Sequence, residues 1–176
     1  MKKLLLLIAS LSLILAACGS NDEAKSEKTT NNAASTEEKA NPAADMMKFY
    51  LSISKSINEV DADLNAFEDA NAEAALPEGA ELQSMKDAAK TAATEAAAKV
   101  EGLEVPESLS AHQEAIDAAL TKIQEAYTMK SEAIVAEGEY VAEEANAKFE
   151  EADTELNAVL EEVGLVGSSI YNEVSL

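Results

Sequence analysis

Met46, Tyr50, Ile53, Ile57, Val60, Leu64 and Phe67 follow one another at spacings that alternate between four and three residues. That alternation keeps one apolar stripe on one face of an α-helix, and a stripe of this kind is stable only when other helices cover it. The segment therefore demands helical neighbours. Asp45 is of a type that caps a helix start, and Pro77 with Gly79 stops the helix soon after Ala75, so a first helix is expected over 45–75.

The rest of the chain supplies the neighbours. Over 80–101, Leu82, Met85, Ala89, Ala92, Ala96 and Val100 share a face. Alanine favours the helix itself but offers little area, so partners must approach closely. Gly102 and Pro106 bracket the next turn, and Pro106-Glu107 suits a helix start. Leu109, Ile116, Leu120, Ile123, Tyr127 and Ile134 then form a third seam, and Val141, Ala145, Phe149, Ala152, Leu156, Leu160 and Val163 a fourth.

Only Gly138 separates the last two seams. One kinked helix over 107–163 would be roughly 80 Å long at ~1.5 Å per residue, far beyond its neighbours, with its distal seam uncovered. Against a turn stands the shortness of any loop there, since a glycine inside a helix costs only about 1 kcal/mol. Matching of lengths argues for four helices over three. The fold class expected is all-α, an antiparallel helical bundle over 45–164, with 165–176 a tail that tucks in through Val166, Ile170 and Tyr171. Aromatic residues make up 4 % of the chain, with no Trp, which also argues against a β-rich core.

The opening residues belong to no bundle. Met1-Lys2-Lys3 is cationic, Leu4 to Leu15 is apolar but for Ser10 and Ser12, and Ala16-Ala17 precede Cys18, the sole cysteine. A dozen apolar residues fall short of the ~20 that span a bilayer, and the layout is that of an export leader over 1–17. Leu15-Ala16-Ala17-Cys18 resembles the lipobox of bacterial lipoproteins. That resemblance implies cleavage between Ala17 and Cys18, a lipid on the Cys18 sulfur, and a protein held on the extracytoplasmic face of the cell membrane. The alternative is a secreted protein with an ordinary leader and a lone free thiol, a liability in an oxidising compartment. Residues 19–44 are polar, contain Pro42 and show no apolar period; as a coil this tether would span on the order of 25–30 Å.

Two acyl chains, at ~0.8 kcal/mol per buried CH₂, would hold the protein on a membrane essentially irreversibly. A second, shorter pattern, Val105-Pro106-Glu107-Ser108-Leu109-Ser110-Ala111-His112, resembles a helix start in small helical-bundle lipoproteins of Gram-positive bacteria, and it brings no activity with it.

Charge narrows the partners. The chain carries −21, and about −23 once Lys2 and Lys3 leave with the leader, since 34 acids then face 11 lysines and no arginine. Such a surface repels phosphate backbones, so nucleic-acid binding is not expected, while cations and basic partners stay admissible. Exposed acids are expected to find i,i+4 partners such as Glu95 with Lys99 and Glu144 with Lys148.

Few residues suggest chemistry. His112 is the only histidine; it lies on the buried side near a helix start and lacks the neighbouring carboxylate of a di-metal bundle, position 109 being leucine. Asp61-x-Asp63-x-Asn65 copies the opening of a calcium loop, but Ala66 replaces the turn glycine, Ala72 the closing glutamate, and the seam runs through it. No phosphate-binding loop or nucleophile with its base is legible. The expectation is a non-enzymatic envelope protein without cofactor or metal, binding another protein or a wall component. The alternative is a receptor for a small ligand or cation, and self-association through the first seam is a third possibility.

Overall fold

The computed structural model describes residues 41–135 and 137–175. The leader, the Cys18 box and the tether as far as residue 40 lie outside the described residues. Six α-helices and one 3-10 helix make up the domain: α1 Pro42–Asn58, α2 Ala62–Ala72, α3 Ala80–Glu101, the 3-10 helix Glu107–His112, α4 Gln113–Ala133, α5 Glu143–Glu162 and α6 Ile170–Val174. Among the described residues there is no strand. The domain is an antiparallel helical bundle.

Its first leg is broken. The single helix expected over 45–75 is two, α1 and α2, with a kink at Glu59-Val60-Asp61. The hydrogen-bond ladder is only lightly disturbed there, because Val60 and Asp61 N–H both donate to the Ile57 carbonyl and Asn65 N–H donates to that of Asp61. Six of the seven seam residues are nevertheless buried, Val60 being the half-exposed one at the bend. The kink thus turns the stripe without dissolving it. The start also moves: Asn41, whose Oδ1 accepts from Ala44 N–H, replaces Asp45 as cap, and Pro42 occupies the first turn, where its missing N–H costs nothing.

α3 occupies the expected span, and its buried face is alanine at 89, 92, 93, 96 and 97. α4 packs on it and on α5. Ion pairs Lys122–Glu155 at 2.7 Å and Lys148–Glu125 at 3.1 Å run α4 antiparallel to α5. The chain does turn near Gly138. α4 ends as Ile134 goes extended (ψ 92°) with its side chain buried, and Gly138 takes φ 121°, open only to glycine at no strain. Lys86 Nζ donates to the Val135 carbonyl at 2.9 Å, satisfying a group that has left the helix.

Gly164 (φ 84°) ends α5 with the paired bonds of a Schellman motif, Leu165 N–H to Leu160 O and Gly164 N–H to Glu161 O. The tail then returns as α6, which packs on both α1 and α5. Asp153 on α5 fixes its start, accepting from Ser169 Oγ at 2.7 Å and Ile170 N–H at 2.8 Å. Ile170 and Val174 are buried and Tyr171 is half-buried. Val166, expected to tuck in, is 89 % exposed instead. The reason is geometric: after the Gly164 reversal the chain has to travel before a second helix can point its apolar face inward.

α2 closes with the same motif, Ala75 N–H to Ala70 O and Ala74 N–H to Asn71 O, but the left-handed position is Ala74 (φ 53°). A Cβ in that region costs roughly 1–2 kcal/mol, partly offset because glycine loses more entropy on folding. Ala74→Gly is therefore expected to raise the unfolding free energy by about 0.5–1 kcal/mol in urea titrations.

Candidate functional site

The polar side chains that the fold gathers most tightly sit where α2, α4, α5, the α4–α5 loop and α6 meet. Lys130 on α4 has only 4 % of its side chain exposed and places Nζ 2.8 Å from Glu68 Oε2 of α2. Tyr140, from the loop after α4, donates its hydroxyl to the other Glu68 oxygen. The Lys130 ammonium also lies 5.7 Å from the Phe149 ring centre and 5.9 Å from that of Tyr171. Aromatic faces at such distances stabilise a cation that has lost water. The rings brace one another: Phe67 meets Tyr140 edge-on at 5.1 Å, Tyr127 meets Phe149 edge-on at 5.2 Å, and Phe149 meets Tyr171 at 5.5 Å.

Asp61, at the kink, is the acid this arrangement serves least well. It is 2 % exposed, and its Oδ2 has no hydrogen-bond partner. Burial pushes its carboxyl above the ordinary 3.8, and the nearby Glu68 charge adds to that, against lowering by an Asn65 hydrogen bond and by Lys130. The Asn65 amide has a second duty, donating to the Val174 carbonyl at 3.0 Å and so tying α6 to α2. Burial likewise raises the Tyr127 and Tyr140 hydroxyls, and the Glu68 charge raises both further.

Above this cluster lies a groove of about 270 Å³, with Asn65, Glu68 and Asp69 of α2 on one side and Tyr140, Asn146 and Tyr171 on the other. Asn146 Oδ1 is buried and has no donor. Ser175 completes the polar lining, and Asp69 is exposed at the rim.

The residues singled out from the sequence lie elsewhere or apart. His112 ends the 3-10 helix with Nδ1 3.1 Å from Glu162 Oε2, a link from the start of α4 to the end of α5. Asp61, Asp63 and Asn65 do not converge as calcium ligands would, because they occupy the cap and first turns of a helix. Asp61 is buried while Asp63 is exposed. Among the described residues no group of three or more His, Cys, Asp or Glu is placed to hold a metal ion. The expected i,i+4 pairs are replaced by longer reaches: Lys99 meets Glu59 at the kink at 3.1 Å, and Lys148 meets Glu125 of α4. Cys18 and the Ala17–Cys18 cleavage point lie outside the described residues.

Sequence reasoning missed the cluster, yet a signal was there. Ile123, Tyr127, position 130 and Ile134 continue the four-three-four spacing, so Lys130 occupies a core position of its seam. A lysine there requires a buried partner.

Removing one member of a buried pair strands the other, at about 3–5 kcal/mol. Lys130→Met should accordingly destabilise the fold by about that amount, and adding Glu68→Gln should recover about half of it, in a double-mutant cycle followed by urea denaturation. Asp61 gives the opposite sign. Because the folded state binds its proton more tightly than the unfolded chain, this group adds stability as pH falls through its folded value, and the gain is complete below 3.8. Asp61→Asn should raise stability at neutral pH, and its advantage over the parent should shrink as pH falls toward 3.8, as thermal melts across that range will read. Compared with known proteins, the chain matches no family model, no characterised protein and no solved structure.

Proposed function

We propose that this chain is a lipid-anchored protein on the extracytoplasmic face of a cell membrane, non-enzymatic, whose helical bundle works by binding an envelope protein or a wall component. The observation that carries the reading is Leu15-Ala16-Ala17-Cys18 at the end of a dozen-residue apolar run behind Lys2-Lys3. The cysteine is the only one in the chain and stands where a lipid would be attached. Among the described residues no helix is long and apolar enough to cross a membrane. The buried Lys130–Glu68–Tyr140 cluster is accounted for as structure, since each of its polar ends is turned on another.

A second reading, a receptor for a small ligand or cation, is favoured by the groove over that cluster, with its polar lining from Asn65, Asp69, Tyr171 and Ser175. Pairing through the first seam is disfavoured, because Met46, Tyr50, Ile53, Ile57, Leu64 and Phe67 are buried within the chain. Growth with an alkyne-tagged fatty acid tests the anchor. The parent chain should take up label, shorten by the leader and fractionate with membranes; Cys18→Ala should lose the label and keep its leader. An unlabelled parent, or a variant processed and retained like the parent, would overturn the proposal.

A further inference from the structure

We infer that the outer face of α1 lies against the anionic phospholipid surface of the membrane that holds the anchor. The inference goes beyond the anchor reading and rests on it, and its test supplies the anchor chemically so that the two can fail separately. Three observations converge on this face. Its exposed residues Met47, Lys48, Leu51 and Lys55 fall at helical spacing along one side of α1. Met47 and Leu51 are one turn apart and stay 43 % and 54 % exposed, so apolar surface and lysine share the same side.

Charge singles out the same helix. Among the described residues α1 is the one α-helix whose lysines outnumber its acids, two to one, whereas α5 carries eight acids and one lysine. The two acids that border the face are answered, Asp45 by Lys48 at 3.5 Å and Glu59 by Lys99 at 3.1 Å. In a chain of −21 this is where an anionic surface meets least repulsion. α6 packs on both α1 and α5 and stands between them. A helix is ~10 Å across, more than the ~8 Å over which charges remain visible to one another in physiological salt. Resting on α1 thus leaves the acids of α5 clear of the membrane and open to an envelope partner.

Chain connection is the third observation. Asn41 caps α1, and only 22 residues separate it from Cys18. At no more than ~3.5 Å per residue they keep the start of α1 within roughly 80 Å of the lipid, so a contact too weak to capture the chain from solution suffices for one already held there. Each lysine near an anionic surface is worth about fivefold in binding, and burial of Met47 and Leu51 adds to that.

The test couples the mature chain, through the Cys18 thiol, to maleimide lipid in nanodiscs of phosphatidylcholine, alone or mixed three to one with phosphatidylglycerol. Methyl-labelled methionine is read by NMR while a nitroxide sits on the lipid headgroups. On mixed discs the Met47 methyl should broaden several-fold more than that of Met129, which lies where α4 meets α5, and the preference should vanish on phosphatidylcholine alone. Lys48→Gln combined with Lys55→Gln should lower the docked-to-free ratio roughly twentyfold. Both side chains are exposed, so the fold is kept. Equal broadening of the two methyls on mixed discs, the same preference on neutral discs, or a preference kept by the double variant would each overturn the inference. A Met47 signal that follows the number of chains per disc instead of lipid charge would mark a second copy as the occupant and overturn it too. Because the coupling is chemical, none of these outcomes bears on whether Cys18 is lipidated in the cell.

Discussion

One ammonium group, Lys130, stands at the meeting point of the bundle. Taking a charge out of water costs several kcal/mol, and the cost is offset only when its partners are correctly placed. Here the partners come from far apart in the chain: Glu68 from α2, and the rings of Phe149 from α5 and Tyr171 from α6. Tyr140, from the loop, completes Glu68. Each of these elements must be docked before the lysine is satisfied, so the charge selects one packing among the several that Ala- and Leu-rich helices would tolerate. A purely apolar side chain at 130 would accept more than one rotation of α4 against α2.

That selection matters because the remaining core discriminates weakly. α3 contributes alanines, which let α4 approach closely but interlock little. The close approach is marked by Thr94 Oγ1 and Ser131 Oγ, 3.0 Å apart across the α3–α4 contact. Large side chains are concentrated instead around the lysine, where Phe67, Tyr127, Tyr140, Phe149 and Tyr171 form edge-on and tilted pairs. With only three Phe and four Tyr in the chain, five of the seven aromatics stand at this one junction. Size and charge therefore specify the same place, and α6 completes it by covering the gap between α1 and α5.

How much of this could be read from residue order follows from the range of each interaction. The α3 helix was legible, because periodicity acts over a few residues, whereas the turn at Gly138 was favoured only by the matching of helix lengths, with one long kinked helix as the alternative. The kink at Asp61 was not legible. The seam runs through it unbroken, so spacing gives no sign of the break. Nor was the polar cluster legible as a site, since Glu68, Lys130, Tyr140 and Tyr171 have no fixed separation along the chain. The lysine at a seam position was the one local trace of it, and Lys86, three before Ala89 and four after Leu82, is a second case of the same trace.

Two of the buried oxygens without partners, Asp61 Oδ2 and Asn146 Oδ1, differ in their surroundings. Asp61 Oδ2 belongs to a carboxylate enclosed at the kink, near Glu68 and Tyr127, with the one nearby ammonium already held. The solute small enough to relieve it in place is a proton, and its effect is on the stability of the fold. Asn146 Oδ1 belongs to a neutral amide in the first turn of α5 at the edge of a groove. Protonation cannot help an amide at ordinary pH, so acid relieves the Asp61 oxygen and leaves the Asn146 oxygen unpaired.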